Sequence, residues 1–171
     1  MSQDHATYSS VREKLLEHLF VGELMRHLWR SGRRDVELLR SEVDNGGYDL
    51  VFECNGIVRH IQLKASHRGS KTAKVNININ LARRPSGCVI WMLFDEDTLE
   101  LGPYLWFGGE PGEPLPSLGN KVARHAKADT TGLKKERPGL RVIARTSFRT
   151  LPTVPDVLDM LFGKIGARAS F

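Results

Sequence analysis

The sequence predicts an α/β domain with a central mixed β-sheet flanked by helices. Three observations lead there. Residues 9–30 carry apolar side chains at helical spacing, residues 36–107 hold a series of short strand-like runs, and an apolar run over 155–162 closes the chain behind a proline. The 171 residues, 40 % hydrophobic and 26 % charged, are enough for one domain that folds without staples. The expected organisation is a single domain over 1–171, with a core at about 10–110 and a basic C-terminal elaboration over 111–171.

The first helix is expected over SSVREKLLEHLFVGELMRHLWR. Ser9 or Ser10 can cap it, and Glu13 stands in the capping-box position relative to Ser10. Leu15, Leu16, Leu19, Phe20, Leu24, Leu28 and Trp29 recur at helical spacing and spread nearly all the way round the axis. Glu17 falls angularly between Leu24 and Leu28, and Glu23 between Leu16 and Leu19. Both carboxylates are therefore expected against the protein rather than in water, which is unusual for a surface helix. Ser31-Gly32 ends the run.

A strand is expected around Val36 to Val43, followed by the turn Asp44-Asn45-Gly46-Gly47. Tyr48–Glu53 and Ile57–Ala65 then form a hairpin through Cys54-Asn55-Gly56. His67 to Lys74 reads as an exposed loop. Val75, Ile77, Ile79 and Leu81 alternate with asparagines, a half-buried strand, and Leu81 to Ser86 reads as a short helical turn. Further strands are expected at Cys88–Phe94, Tyr104–Phe107 and Leu140–Arg145. Residues 118–139 are polar, with few apolar anchors, and read as mobile. Pro155–Phe162 starts a closing helix with proline.

Several classes are disfavoured. Cys54 and Cys88 are too few for a disulfide framework and read as buried thiols in a reducing compartment. They lack a CxxC or HxxxH context, so zinc has no support. No glycine-rich phosphate loop is present. The polar MSQDHATYSS start shows no secretory signal, and no window reaches the ~20 apolar residues of a membrane span. The expectation is a cytoplasmic protein with no membrane association.

The net charge of +5 is unevenly spread. From Cys54 to Phe94 there is no Asp or Glu, while Arg59, Lys64, Arg68, Lys71, Lys74, Arg83 and Arg84 add seven positive charges. From Lys121 to Arg145, eight Lys or Arg face only Asp129 and Glu136. Two such blocks suit a phosphate-binding surface, with Arg68, Lys71, Lys74, Arg83, Arg84, Lys121 and Arg124 as candidate nucleic-acid contacts. The ordinary alternative is a solvated basic face.

The hairpin carries polar groups where a buried strand normally has none. By alternation, Asp49, Val51 and Glu53 share one face of their strand, and His60, Gln62 and Lys64 share one face of the next. If these faces lie together, Asp49, Gln62 and Lys64 converge. Left unpartnered, each buried polar group would cost roughly 1–3 kcal/mol, which a metal ion and a phosphate would offset.

Here the sequence resembles the PD-(D/E)xK nuclease superfamily, the restriction-endonuclease-like fold. The resemblance rests on GGYDLVFE, with Asp49 in the place of the motif's Asp, and on IQLKAS, with Gln62-Leu63-Lys64 in the place of (D/E)-x-K. LLEHLFVGELMRHLWRSG looks like the family's first helix, which brings a Glu to the same site. Holliday-junction resolvases and related bacterial nucleases with a Q-x-K variant are similar. The likeness covers residues 10 to about 94.

The resemblance implies a metal-dependent DNA nuclease of repair, recombination or defence, using Mg²⁺ or Mn²⁺. Asp49 and Gln62 would be metal ligands with Glu17 or Glu23, and Lys64 would hold the attacking water and stabilise the developing charge. The likeness to the family's helix favours Glu17, and the long interval to Gly32 keeps Glu23 open. Gln62 offers an oxygen without charge, so metal binding should be weak. Ordinary readings stand beside these: Asp49 capping a turn, Lys64 a solvated edge lysine, Glu53 and His60 surface residues, Trp29, Trp91 and Trp106 core aromatics. The alternative function is a catalytically weak nuclease-fold protein that only binds nucleic acid. A homodimer is an open assembly.

Overall fold

In the computed structural model, which describes residues 8–43, 45–126 and 132–164, a six-stranded mixed sheet lies between two helices and a three-stranded sheet. Helix α1 (Ser9–Arg30) comes first, followed by strands β1 (Val36–Arg40), β2 (Leu50–Cys54), β3 (Ile57–His67) and β4 (Lys74–Asn78). A 3₁₀ turn (Ile79–Arg83) leads to β5 (Gly87–Phe94) and β6 (Leu101–Gly108). Strands β7 (Val122–Arg124), β8 (Glu136–Ala144) and β9 (Arg149–Leu151) precede helix α2 (Val154–Phe162).

The main sheet runs β1-β2-β3-β5-β6-β9, and only the β3–β5 pair is parallel. The small sheet is antiparallel, in the order β4-β8-β7. The sequence predicted the mixed sheet and both helices, and the β2–β3 hairpin turns through Asn55 and Gly56. Their φ values of 52° and 76° are those a two-residue turn matched to strand twist requires.

Two apolar clusters cover the two faces of the main sheet. On one face Leu50, Phe52, Ile61, Ile90 and Met92 pack against Phe20, Leu24 and Leu28 of α1 and Val157 and Leu161 of α2. On the other, Val89, Trp91, Leu93, Leu105 and Phe107 meet Ile77, Ile143 and Phe148. Strand β5 is buried at every position because both faces are covered, which explains its unbroken apolar run. Residues 149–162 belong to this body rather than being added to it: β9 pairs with β6, and α2 lies in the first cluster.

Several expectations are corrected. Helix α1 begins at Ser9 with Tyr8 before it and no side-chain cap, so neither serine caps it. Its outer face leaves Val11, Leu15, Leu19, Met25 and Trp29 exposed. Trp29 is therefore not a core aromatic; the Arg34 guanidinium lies 4.5 Å from its ring centroid. The Val75–Leu81 run leaves the strand at Asn78, whose side chain accepts the Asn80 N–H at 3.0 Å and starts the 3₁₀ turn. Residues 122–124 and 136 onward form strands within the stretch expected to be mobile. Thr153 and Asp156 close α2 with a reciprocal capping box. Cys54 and Cys88 are free and buried, as expected. No described helix is long and apolar enough to cross a membrane.

Candidate active site and basic groove

Strand β2 starts at Leu50, paired with Ile61, yet the Asp49 N–H also donates to the Ile61 carbonyl at 2.8 Å. The ladder is irregular at this point. One step further, Oδ2 of Asp49 accepts the Leu63 N–H at 2.6 Å, a side-chain oxygen where a continued ladder would put a carbonyl. Leu63 lies between Gln62 and Lys64 in the chain. The carboxylate is thus tied one residue from each of the two polar groups with which the sequence grouped it, and a short bond to a charged acceptor holds its rotamer.

Gln62 is buried, and its Oε1 receives the Asn78 N–H at 3.4 Å, a long contact that ties the main sheet to the end of β4. Gly47, at φ +76°, keeps the turn before Asp49 against the same place; a Cβ there would lie 2.9 Å from Asn78 and from the Leu81 nitrogen. Asn80 Nδ2 donates to the Asn45 carbonyl at 3.0 Å. Beyond Ile61 the register with β2 ends, and Lys64 lines a cavity of about 380 Å³ with Arg12, Glu13, Ser66 and His67.

The helix carboxylates separate. Glu17 is buried and pairs with Lys14 at 2.9 Å and with Arg40 at 3.4 Å. Arg40 faces Leu50, the residue after Asp49, across the β1–β2 ladder. Glu23 pairs instead with Arg26 and borders a different cavity with Thr98, Leu101 and Tyr104. It is not brought to Asp49. Glu13, read from sequence as a capping residue, shares the cavity with Lys64, one helical turn from Glu17. The i, i+4 spacing of Glu13 and Glu17 was the available signal. His60 is half-buried, with Nδ1 2.8 Å from the Pro85 carbonyl and its ring edge-on to Tyr48. Among the described residues, no group of three His, Cys, Asp or Glu is gathered as a metal cluster.

The basic residues also sort themselves. Arg59 is fully buried, donating to the Leu161 and Met160 carbonyls at 2.7 Å each and to the Gly109 carbonyl at 3.2 Å. It is therefore no surface cation, and burial lowers its pKa from the usual range. Arg68 donates to the Gly102 carbonyl at 2.7 Å and pairs with Glu100 at 3.6 Å, so its charge is compensated within the protein. Arg84 lies 5.4 Å from the Tyr48 ring centroid, while Arg83 and Lys71 are exposed.

Lys74, Lys121, Arg124 and Lys134 line one groove of about 590 Å³ on the small sheet, with Glu136 as the acid there. Arg124 and Glu136 approach to 3.4 Å. The two basic blocks of the sequence meet in this groove because β4 and β8 pair.

The chain matches no protein-family model and no curated protein. Among solved structures, a bacterial homing endonuclease, I-Ssp6803I, aligns at 20 % identity with a TM-score of 0.30, covering 71 % of this chain and 85 % of that one.

Proposed function

We propose that the chain is a divalent-metal-dependent DNA nuclease of the PD-(D/E)xK kind, hydrolysing phosphodiester bonds beside Asp49 and Lys64. The observation that supports this reading is the bond from Leu63 N–H to Asp49, which ties the acid to the backbone between Gln62 and Lys64. The available donors are oxygens: the carboxylates of Asp49, Glu17 and Glu13 and the amide of Gln62. That donor type suits Mg²⁺ or Mn²⁺, and the neutral Gln62 makes the hold a weak one. Bound there, the ion would acidify a water and neutralise charge on the phosphate.

The protein's own residues would do the rest. Asp49, locked by its backbone bond, would orient the ion without reorganising. The Lys64 ammonium would sit against the phosphate oxygen on which charge develops. Glu17 would join as a ligand after exchanging its pairing with Lys14 or Arg40. Lys74, Lys121, Arg124 and Lys134 would take the phosphates flanking the cut.

A second reading, nucleic-acid binding without cleavage, is favoured by the uncharged Gln62 and by the two cations that hold Glu17. Incubation with plasmid, linear and branched DNA in Mg²⁺, Mn²⁺ or EDTA separates them. Nicking or degradation that requires metal and is lost in Asp49→Ala supports the nuclease. Salt-sensitive binding with no cleavage under any condition supports the binder.

A further inference from the structure

The cavity beside Lys64 shares a wall with a second one. Ser70 and Thr72, in the loop after β3, line the 380 Å³ cavity of Lys64 and also a neighbour of about 540 Å³. Both volumes lie in the roughly 300–1,000 Å³ range of sites that enclose small ligands. The second has an apolar floor of Leu93, Leu105 and Phe148, with Lys71 and Arg145 at its sides. Thr146 and Thr150 add hydroxyls at its rim, and among the described residues no Asp or Glu lines it.

Trp91 joins the two cavities from below. It is fully buried, and its indole N–H donates to Ser66 Oγ at 3.0 Å, on the side of Lys64. On the other side the Arg145 guanidinium lies 5.6 Å from its ring centroid, and the Phe148 ring meets it edge-on at 5.5 Å. Trp91 thus anchors the guanidinium at the second cavity while fixing Ser66 at the first.

We infer that the second cavity takes a nucleobase and its phosphate from a single DNA strand running on from Lys64 over Ser70–Thr72. Cations beside an apolar floor match a nucleotide: the floor takes the flat base, and Lys71 and Arg145 take the phosphate. Threonine hydroxyls can donate or accept, so they select no particular base. A base paired within a duplex keeps its face against its neighbours and cannot reach such a floor. The substrate this favours has an unpaired strand next to the cut, as an overhang, a flap or a branch. The proposal rests on the reading of Lys64 as the phosphodiester site.

The test is fluorescence anisotropy in EDTA, where no cleavage occurs, with a short single-stranded oligodeoxynucleotide, an abasic strand of equal length and a blunt duplex. The wild type is expected to bind the abasic strand about fivefold or more weakly than the normal strand. Lys71→Glu with Arg145→Glu is expected to weaken single-strand binding about tenfold or more and blunt-duplex binding less than about threefold. Because Arg145 lies on Trp91, Thr150→Trp is a second probe that fills the cavity from exposed β9 and leaves that contact intact; it too should weaken the single strand selectively. Equal binding of normal and abasic strands by the wild type, or equal losses on strand and duplex in Thr150→Trp, would overturn the inference. Cleavage measured separately in Mg²⁺ with Asp49→Ala tests the nuclease reading, so the two can fail independently.

Discussion

The carboxylate of Asp49 is bonded to the backbone of Leu63, with Oδ2 accepting its N–H at 2.6 Å. An acid at the start of one strand is thereby tied to the amide between Gln62 and Lys64 on the next. The bond matters because a ligand or base that is held before substrate arrives loses little entropy on binding it.

Asp49→Ala is expected to abolish metal-dependent cleavage, and Asp49→Asn to retain the Leu63 bond but lose the charge. If the charge is the functional element, both variants are inactive while Asp49→Asn melts close to wild type. Lys64→Ala is expected to slow cleavage about 10²–10³-fold with little loss of DNA affinity, the size of removing one transition-state donor. Single-turnover assays and binding isotherms read both effects. Cleavage by Asp49→Asn at the wild-type rate would leave the acid with a turn-capping role alone.

Charge removal in the groove is expected to act on affinity. Lys74, Lys121, Arg124 and Lys134 border one depression, so replacing Lys74 and Lys121 by Ala should flatten the dependence of log affinity on log salt, by about 0.9 for each phosphate no longer neutralised. Arg68→Ala should leave the slope unchanged, because Glu100 and Asp95 already compensate that charge. Titrations over a range of salt concentrations check both. Equal slopes in all variants would return the groove to ordinary solvated surface.

Arg59 is expected to be structural. It donates to the carbonyls of Met160 and Leu161 at the end of α2, and it is fully buried. Arg59→Ala leaves those carbonyls without their donor and opens a cavity, so it should cost about 3 kcal/mol or more. Denaturant unfolding measures this. An Arg59→Ala protein as stable as wild type would contradict the assignment.

Alkaline pH is expected to destabilise the fold. Burial, with the Glu23 carboxylate adding to it, pushes the Tyr104 hydroxyl up to about 12 from its ordinary 10.0. The folded pKa is the raised one, so the stability linked to Tyr104 is complete below pH 10 and is lost as pH rises towards 12. The loss amounts to roughly 3 kcal/mol, since the shift is about two units and one pKa unit is about 1.4 kcal/mol. Cys88 adds to the same trend, its thiol pushed by burial to about 12 from 9.0. Tyr104→Phe should flatten the decline in melting temperature between pH 10 and 12, and an unchanged decline would remove Tyr104 as a cause.

Local pattern alone determined most of the elements of this protein. Apolar spacing located α1, alternation and the Asn-Gly turn located the β2–β3 hairpin, and an unbroken apolar run marked β5. These are properties of neighbours along the chain, and the folded protein keeps them. The same logic led to the expectation that Asp49, Gln62 and Lys64 converge, and in the structure Asp49 bonds the Leu63 N–H between the other two. What depends on distant segments could not be read this way. Arg59 looked like its basic neighbours, and only the packing of α2 a hundred residues later turned it into a buried donor. Trp29 looked like core, but α1 offers its inner face to the sheet and leaves Trp29 outside. Glu17 and Glu23 each fell between apolar positions of α1, until the sheet gave one to Arg40 and left the other beside Tyr104. The basic groove exists because β4 and β8, some sixty residues apart, pair with each other. Spacing along the chain fixes which way a side chain faces within its own element. Which partner it meets depends on how the elements pack, and only the tertiary structure decides that.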